Sequence, residues 1–563
     1  MDFFSAICSL FILEGEIVKK YFIVFFNIFL IFLITSCQKA QEPTIEETKI
    51  TEEIPTKEVT PTKTPEPTII ETPEPDIPTI TKPMYDYTCI TTDKTTYSIN
   101  EKITVYLHNT ESSDLLAITE YGKEPNNQFI LLKRQVKDTT EQVFNPSKLN
   151  GAGDYTIFLY KNSEGVIDLI DIHIDDEDTN NYKISNATID VSSNNLSSMI
   201  TVNTVNTNEL TYRLYWAKDG NRLTDYMAIK TLKSSNLDTF NIELPNNLYM
   251  PNEANQIEIA VVEGVTESYF INLENKLTLP ESKYLFTFNV VSDLHIQSKS
   301  SSTLFNAHLK RALKDIYSSD SLAIFAVGDI INNSEESNYE YFKSLLEEVK
   351  TPNAKEIYYA VGNHEYMYQT DMNIALGIFK EQFGLDCHYY SVELNGYKFI
   401  VLGSDDISSY GVMNSIQIEW LRSELAKTDK NKPTFIFMHQ GLKDTVAGTL
   451  ETELGQQDHG FGSSRNTLRS ILKNYPNAVV FSGHSHYSLE EYKTFSYGNG
   501  LDASFANCGS MAYLNGYNTE DLGGSEGYYV EVYEDYILLR GKEFIYDKWI
   551  GGAQFYIPLH TSK

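Results

Sequence analysis

Cysteine is scarce in this chain: five in 563 residues, at positions 8, 37, 89, 387 and 508. So few thiols exclude a disulfide-framed fold. A Cys387–Cys508 bridge stays possible, and two independently buried thiols are the better reading. Positive charge is also in short supply, with 45 Lys and Arg against 77 Asp and Glu, a net charge of -32. Phosphate backbones and anionic membrane surfaces would be repelled, so no nucleic-acid-binding surface is expected. Histidine is nearly missing from the first half: of 11, only His108 and His173 precede residue 281. A His-rich metal cluster is therefore excluded there. Long apolar runs are missing too. The strongest, Tyr21 to Ile34, falls short of the roughly 20 residues a spanning helix needs.

That run does have another reading. Lys19-Lys20 precedes it and Ile34-Thr35-Ser36-Cys37 follows it, the order of a signal peptide. Small residues before a cysteine resemble the bacterial lipobox, in which cleavage before Cys37 leaves a thiol to be acylated. Several acyl chains, at about 0.8 kcal/mol per buried CH₂, hold a protein stably on a membrane. The expected location is extracytoplasmic, lipid-anchored to the bacterial cell membrane. An uncleaved signal anchor is the weaker alternative. Acidic Glu14-Gly15-Glu16 sits oddly ahead of the basic stretch and suggests that translation starts at Val18, which would remove residues 1–17.

Residues 38–83 hold half of the chain's 18 prolines amid Thr and Glu. Such a stretch buries too little apolar surface to order itself and reads as an extended, disordered linker. From 84 to 178 the pattern is β: Ile99 to Leu107 alternates, and Tyr155–Tyr160 and Val166–Ile174 flank a hairpin turn at Lys161-Asn-Ser-Glu-Gly165. An immunoglobulin-like sandwich is expected. Residues 179–280 repeat the style and read as a second sandwich, fibronectin-like or immunoglobulin-like. Exposed aromatics such as Trp216 could bind glycan, although core packing suits them better.

The second half follows a different grammar. Tyr284 to Val291 is a buried strand that ends in Ser292-Asp293-Leu294-His295. Leu322–Val327 ends in Gly328-Asp329-Ile330-Ile331-Asn332, and Ile357–Val361 in Gly362-Asn363-His364-Glu365. Thr434–Met438 leads to His439, and Ala478–Phe481 to Ser482-Gly483-His484-Ser485-His486. Helix-period segments lie between them, at 305–317, 339–349 and 415–427, so residues 281–563 read as a layered α/β domain. In such domains ligands bind beyond the carboxyl ends of the strands. Here those ends carry Asp, Asn and His, with Gly where the backbone must turn or come close.

These five motifs, in this order, resemble the calcineurin-like metallophosphoesterases from roughly Lys283 to the C-terminus. The implied fold has four layers, a β-sandwich flanked by helices. Asn332 stands where many members have Asp. Purple acid phosphatases carry Tyr at that place, so their branch is not expected.

A phosphate ester repels hydroxide, and two cations about 3.5–4 Å apart overcome this by clamping the phosphoryl oxygens and acidifying a water. Such a pair needs a bridging ligand, for which Asp329 is the natural choice. The resemblance assigns Asp293, His295 and His486 to one ion and Asn363, His439 and His484 to the other. Mixed nitrogen and oxygen donors suit two divalent or trivalent ions of Fe, Mn or Zn. Attack by a metal-bound hydroxide is implied, with His364 as the acid that protonates the leaving oxygen. Glu365 would orient ligands and Asn332 would support its loop. His308 and His388 read as structural. His459 and Arg465, in a Gly-rich stretch, fit a substrate lid or a solvated loop equally well.

The expected function is a surface-anchored phosphoesterase acting on phosphomonoesters or phosphodiesters, small or on the cell surface. The competing reading is an adhesion or binding lipoprotein whose phosphoesterase domain is a relic. A relic commonly loses a ligand, and here every candidate stands. Since the β-rich segments supply no ligand, a fragment from Leu279 on is expected to work alone.

Overall fold

In a computed structural model, residues 87–560 are described except 138, 162–164, 176–183, 193–196, 206–208, 235–237, 263–267, 299–302, 451–459, 461–463 and 517–521. The leader with Cys37, the Pro-rich linker and His459 lie outside the described residues. No helix among the described residues is long and apolar enough to cross a membrane.

The protein is mostly β, with few helices. Its C-terminal half is built on two six-stranded sheets. In the first, Tyr284–Val291 is central. Parallel strands Ala323–Val327 and Glu356–Ala360 lie on one side of it, and the antiparallel strands Glu526–Tyr533, Tyr536–Glu543 and Lys548–Pro558 on the other. In the second, Tyr397–Val401, Thr434–Phe437, Ala478–Ser482 and Ser504–Asn507 run parallel, edged by the antiparallel strands Tyr390–Leu394 and Phe495–Ser496. Inner parallel strands such as Ala323–Val327 and Thr434–Phe437 are largely apolar because both of their faces are covered. All five residues of Ala323–Val327 are buried.

Phenylalanines interlock between the sheets. Phe288 meets Phe435 at 4.7 Å and Phe325 stacks on Phe437 at 4.1 Å between centroids. Helices α1 (Thr303–Ser318), α2 (Glu336–Glu348) and α3 (Met372–Phe383) share an apolar cluster with the first sheet, and α4 (Ser415–Ala426) and α5 (Arg465–Leu472) share one with the second. The order is thus helix, sheet, sheet, helix, with the parallel strands of both sheets ending toward the same loops.

Toward the N-terminus, a three-stranded and a five-stranded sheet between Cys89 and Asp175 enclose one apolar cluster. A second such pair of sheets, between Ile184 and Asn272, encloses another. Neither pair stands apart, since Tyr85–Lys563 is a single compact unit. Trp216 is fully buried, not exposed, and its Nε1 donates to the carbonyl of Gly551 at 3.0 Å. Met227 N donates to Trp549 O at 2.8 Å, and Tyr249 N to Gln554 O at 3.2 Å. From the first segment, Ala117, Phe158 and Tyr160 share a cluster with Ile545 and Tyr546. The expectation of a self-sufficient fragment from Leu279 therefore meets a continuous interface. Periodicity shows that a face is buried but not what covers it.

The thiols of Cys89, Cys387 and Cys508 are free; Cys89 and Cys508 are buried and Cys387 is half-buried.

Candidate metal centre

Each motif sits just past a strand, and the backbone there is unusual. Asp293 (φ 55°), His295 (47°), Asp329 (49°), His484 (70°) and His486 (57°) all adopt the left-handed conformation. For a residue with a β-carbon this costs about 1–2 kcal/mol, so something must hold it. Asp293 N donates to Gly328 O at 3.1 Å and His295 N to Asp329 O at 3.0 Å, tying the first two loops together. The His484 N–H donates to Asp293 Oδ2 at 2.9 Å. Glycines let the loops approach: a β-carbon on Gly328 would strike the His439 ring, on Gly362 the Asp329 carboxylate, and on Gly483 the Ser292 and Asp293 side chains.

The donors converge in two groups. Asp293, His295, Asp329 and His486 offer atoms all within 4.8 Å of one another, and so do Asp329, His439 and His484. Asp329 belongs to both. His439 Nε2 lies 3.1 Å from Asp329 Oδ2 and 3.1 Å from Asn363 Oδ1, which brings Asn363 to the second group. His295 and His486 meet through their Nε2 atoms at 3.1 Å, and His486 Nε2 is 3.2 Å from Asp293 Oδ1.

Carbonyls fix the ring orientations. Nδ1 of His439 faces Val327 O at 2.8 Å and Nδ1 of His486 faces Tyr513 O at 3.2 Å, so each turns Nε2 inward. Outer bonds of this kind orient metal-binding histidines. His364 lies beside the groups. Its N–H donates to Asp329 Oδ1 at 2.8 Å, its Nδ1 faces Asn332 O at 2.7 Å, and its Nε2 is 3.9 Å from Asp329 Oδ2. Asn332 thus meets the site through its backbone, and its own N–H donates to Ile296 O. Glu365 is fully buried and accepts from the N–H groups of Asp329, Ile330, Ile331 and Gly362, shaping two loops at once.

The electrostatics are those of a cation trap. Burial would raise both aspartates, but His486 and His439 hold Asp293 down at about 2, and His439 and His364 hold Asp329 well below the carboxylate range. Burial, with His486 beside it, drives His295 down to about 3. His439 goes the other way: against the effect of burial, Asp329 and Asp293 raise it to about 10. Two buried carboxylates that retain a proton on an imidazole will equally favour a metal cation. Buried carboxylates and inward-turned imidazole nitrogens around a shared aspartate therefore fit two metal ions.

Residues 286–488 match the family model described as calcineurin-like phosphoesterase. The C-terminal half carries a metallophosphoesterase domain, a hydrolase acting on phosphoester bonds. A protein of Rhodococcus erythropolis named as a probable cyclic nucleotide phosphodiesterase is 26% identical over 245 residues, 42% of this chain and 74% of that one. Among solved structures, Vacuolar Protein Sorting 29 from Cryptosporidium parvum aligns at 12% identity over 50% of this chain and 100% of its own, with a TM-score of 0.24. The phosphopantetheinyl hydrolase of Mycobacterium tuberculosis aligns at 13% identity over 40% and 90%, with a TM-score of 0.26.

The candidate site also draws on a loop that the motifs do not mark. After Ser504–Asn507, Met511 N donates to Ser292 O at 2.9 Å and Ala512 N to Asp293 O at 3.1 Å. The Tyr513 ring lies 4.2 Å from that of His486. The strand before it, Ser504-Phe-Ala-Asn507, does end in Asn507 and Cys508, but it is too short and too polar for its pattern to mark a further strand edge. Elsewhere, His388 Nε2 lies 2.9 Å from Asp405 Oδ1, and Arg465 opens α5.

Proposed function

We propose that the chain is a dinuclear-metal-dependent phosphoesterase, held on the outer face of a bacterial membrane by acylated Cys37. The observation that carries the catalytic part is the membership of Asp329 in both donor groups. Asp293, His295 and His486 would hold one ion and Asn363, His439 and His484 the other, with Asp329 available to both. Fe, Mn or Zn suits this mixture of imidazole, carboxylate and amide. Such ions supply positive charge for the phosphoryl oxygens and lower the pKa of a water.

The chain's own groups do the rest. His364, its Nδ1 facing Asn332 O, points Nε2 toward the centre and holds a proton there for the leaving oxygen. Glu365 keeps the Asp329 and Asn363 loops in register through its backbone bonds. Phosphodiesters are the favoured substrates because the Rhodococcus protein is named as a probable cyclic nucleotide phosphodiesterase. On this reading the first β-rich segment is an immunoglobulin-like sandwich and the second a fibronectin-like or immunoglobulin-like one. The relic reading is disfavoured by a donor set with no gap.

The test takes Met84 to Lys563, which contains the compact unit, and supplies Mn, Zn or Fe with cyclic nucleotides, other diesters and monoesters. Hydrolysis of a diester that disappears in Asp329→Asn supports the reading. No hydrolysis of any ester in a metal-loaded sample defeats it. For the anchor, Cys37→Ser should abolish labelling by radioactive fatty acid, and persistent label would refute acylation there.

A further inference from the structure

His308, on α1, is buried among three parts of the molecule. Its Nδ1 lies 3.1 Å from the carbonyl oxygens of both Met511 and Ala512. Its Nε2 lies 3.0 Å from Oε2 of Glu124, which belongs to the first β-rich segment. Nε2 and that Oε2 face each other at ion-pair distance without an aligned hydrogen bond, and neither has a hydrogen-bond partner among the described residues. Carbonyls only accept, so Nδ1 carries a hydrogen. A second proton must then lie between Nε2 and the carboxylate, because two lone pairs at 3.0 Å would repel. The ring is an imidazolium paired with a carboxylate. Its pKa is raised accordingly: burial works against it, and Glu124 outweighs burial.

What this cation holds is the loop of residues 510–515. That loop clamps one end of the metal centre. Met511 N and Ala512 N donate to Ser292 O and Asp293 O, and the Ser510 hydroxyl donates to Asp293 O at 3.1 Å. Tyr513 O receives His486 Nδ1, and Asn515 N donates to His486 O at 2.7 Å. Phe305, one turn before His308 on the same face of α1, sets its ring 5.8 Å from that of Tyr513. Glu124 is itself fixed: Asn126 Nδ2 donates to its Oε1 at 3.2 Å, and a β-carbon on Gly523 would collide with its side chain. The second donor group differs. His439 is oriented by Val327 O and touches none of these bonds.

We propose that Glu124 is a positioning residue for the Asp293–His295–His486 end of the metal centre, acting through His308 and the 510–515 loop. The first β-rich segment is on this account a working part of the hydrolase, not only a spacer. The inference rests on the two-ion reading above. It predicts an unequal effect, because the 510–515 loop bonds directly to Asp293 and His486 and not to His439.

The experiment titrates the full chain with Mn²⁺ alone, measuring stoichiometry and both dissociation constants, for wild type, Glu124→Gln, His308→Gln and Tyr546→Phe. The last removes a different tie between the same segments, the Tyr546 hydroxyl on Lys123 O. Glu124→Gln and His308→Gln should each weaken one ion by about 10–100-fold and leave the other within about twofold. Tyr546→Phe should lower the melting temperature without changing either constant. Glu124→Gln combined with His308→Gln should weaken that ion no more than either alone, since both act along one path. The proposal is overturned if folded Glu124→Gln keeps both constants, or if both ions weaken equally as in general destabilisation. Should Glu124→Gln not fold, Asn126→Ala, which frees Oε1 of Glu124, is read in its place against the same two outcomes. A wild-type chain that binds no Mn²⁺ would instead remove the two-ion reading itself.

Discussion

A β-carbon on Gly362 would overlap Oδ1 of Asp329, so the glycine and the shared carboxylate occupy space that admits only one side chain. Gly362→Ala should therefore displace Asp329 from both donor groups. Misplacement by about 1 Å commonly costs on the order of 10²-fold in rate, and both ions should weaken together. Metal content and turnover on one diester check this. An Ala variant with two tightly bound ions and full rate would show that the loop gives way more easily than the contact implies.

On the proposed reading, His364 donates a proton and holds no metal. His364→Ala should keep both ions and lose roughly 10²–10⁴-fold in rate on alkyl esters. The loss should be smaller on nitrophenyl esters, whose leaving group departs without protonation. Equal losses on both would move His364 from proton donor to stabiliser of transition-state charge. Metal lost in step with rate would make it a ligand or a ligand's support.

His388 offers a pH test away from the metals. Burial lowers its pKa, but Asp405 and Cys387 raise it further, to about 9 against an ordinary 6.5. A group with a raised folded-state pKa stabilises fully below its unfolded value, and that contribution fades as pH climbs through the folded value. The melting-temperature gap between wild type and His388→Gln should thus be widest near about pH 6 and close by about pH 10. A gap that widens with pH would show that His388 is held neutral.

Cutting the chain before Leu279 should harm it. The cut would strip Trp549 of the apolar cluster it packs against between Ile184 and Leu277 and remove the Trp216–Gly551 and Tyr249–Gln554 hydrogen bonds. Exposed apolar surface of that kind promotes aggregation. The fragment should be recovered largely as aggregate, or melt well below the longer chain. A monodisperse fragment of unchanged melting temperature would show that the interface adds little.

Much of the candidate site was legible in the sequence because its chemistry admits few residue types. Tyr284–Val291 is a strand over the very residues its apolar run marks, and α1 and α4 begin within two residues of their expected starts. Asp293, His295, Asp329, Asn363, His439, His484 and His486 converge because each follows a buried strand. Partners far apart along the chain were not legible. Trp216 and Gly551 are 335 residues apart, and no periodicity announces their bond. The three antiparallel strands from Glu526 to Pro558 passed unmarked, since they end in no ligand. α3 did too, although Asp371 caps its start and Gly384, at φ 66°, ends it. His308 read as structural because a lone histidine on a helix gives no sign of the two carbonyls and the glutamate around it.

The left-handed backbone at Asp293, His295, Asp329, His484 and His486 sets the site against the fold that carries it. Glycine would occupy each of these five positions with less backbone strain. In a chain not required to bind metal, that relief would be felt at His484, the one of the five that is not buried, whereas glycine at Asp293 or Asp329 would leave the N–H groups of His484 and His364 without their acceptors. Decay of the activity would then run thermodynamically downhill, with a more heat-resistant and inert protein at the bottom of the slope. A variant library screened only for thermal resistance should drift toward glycine at His484 while keeping the buried Asp293 and Asp329.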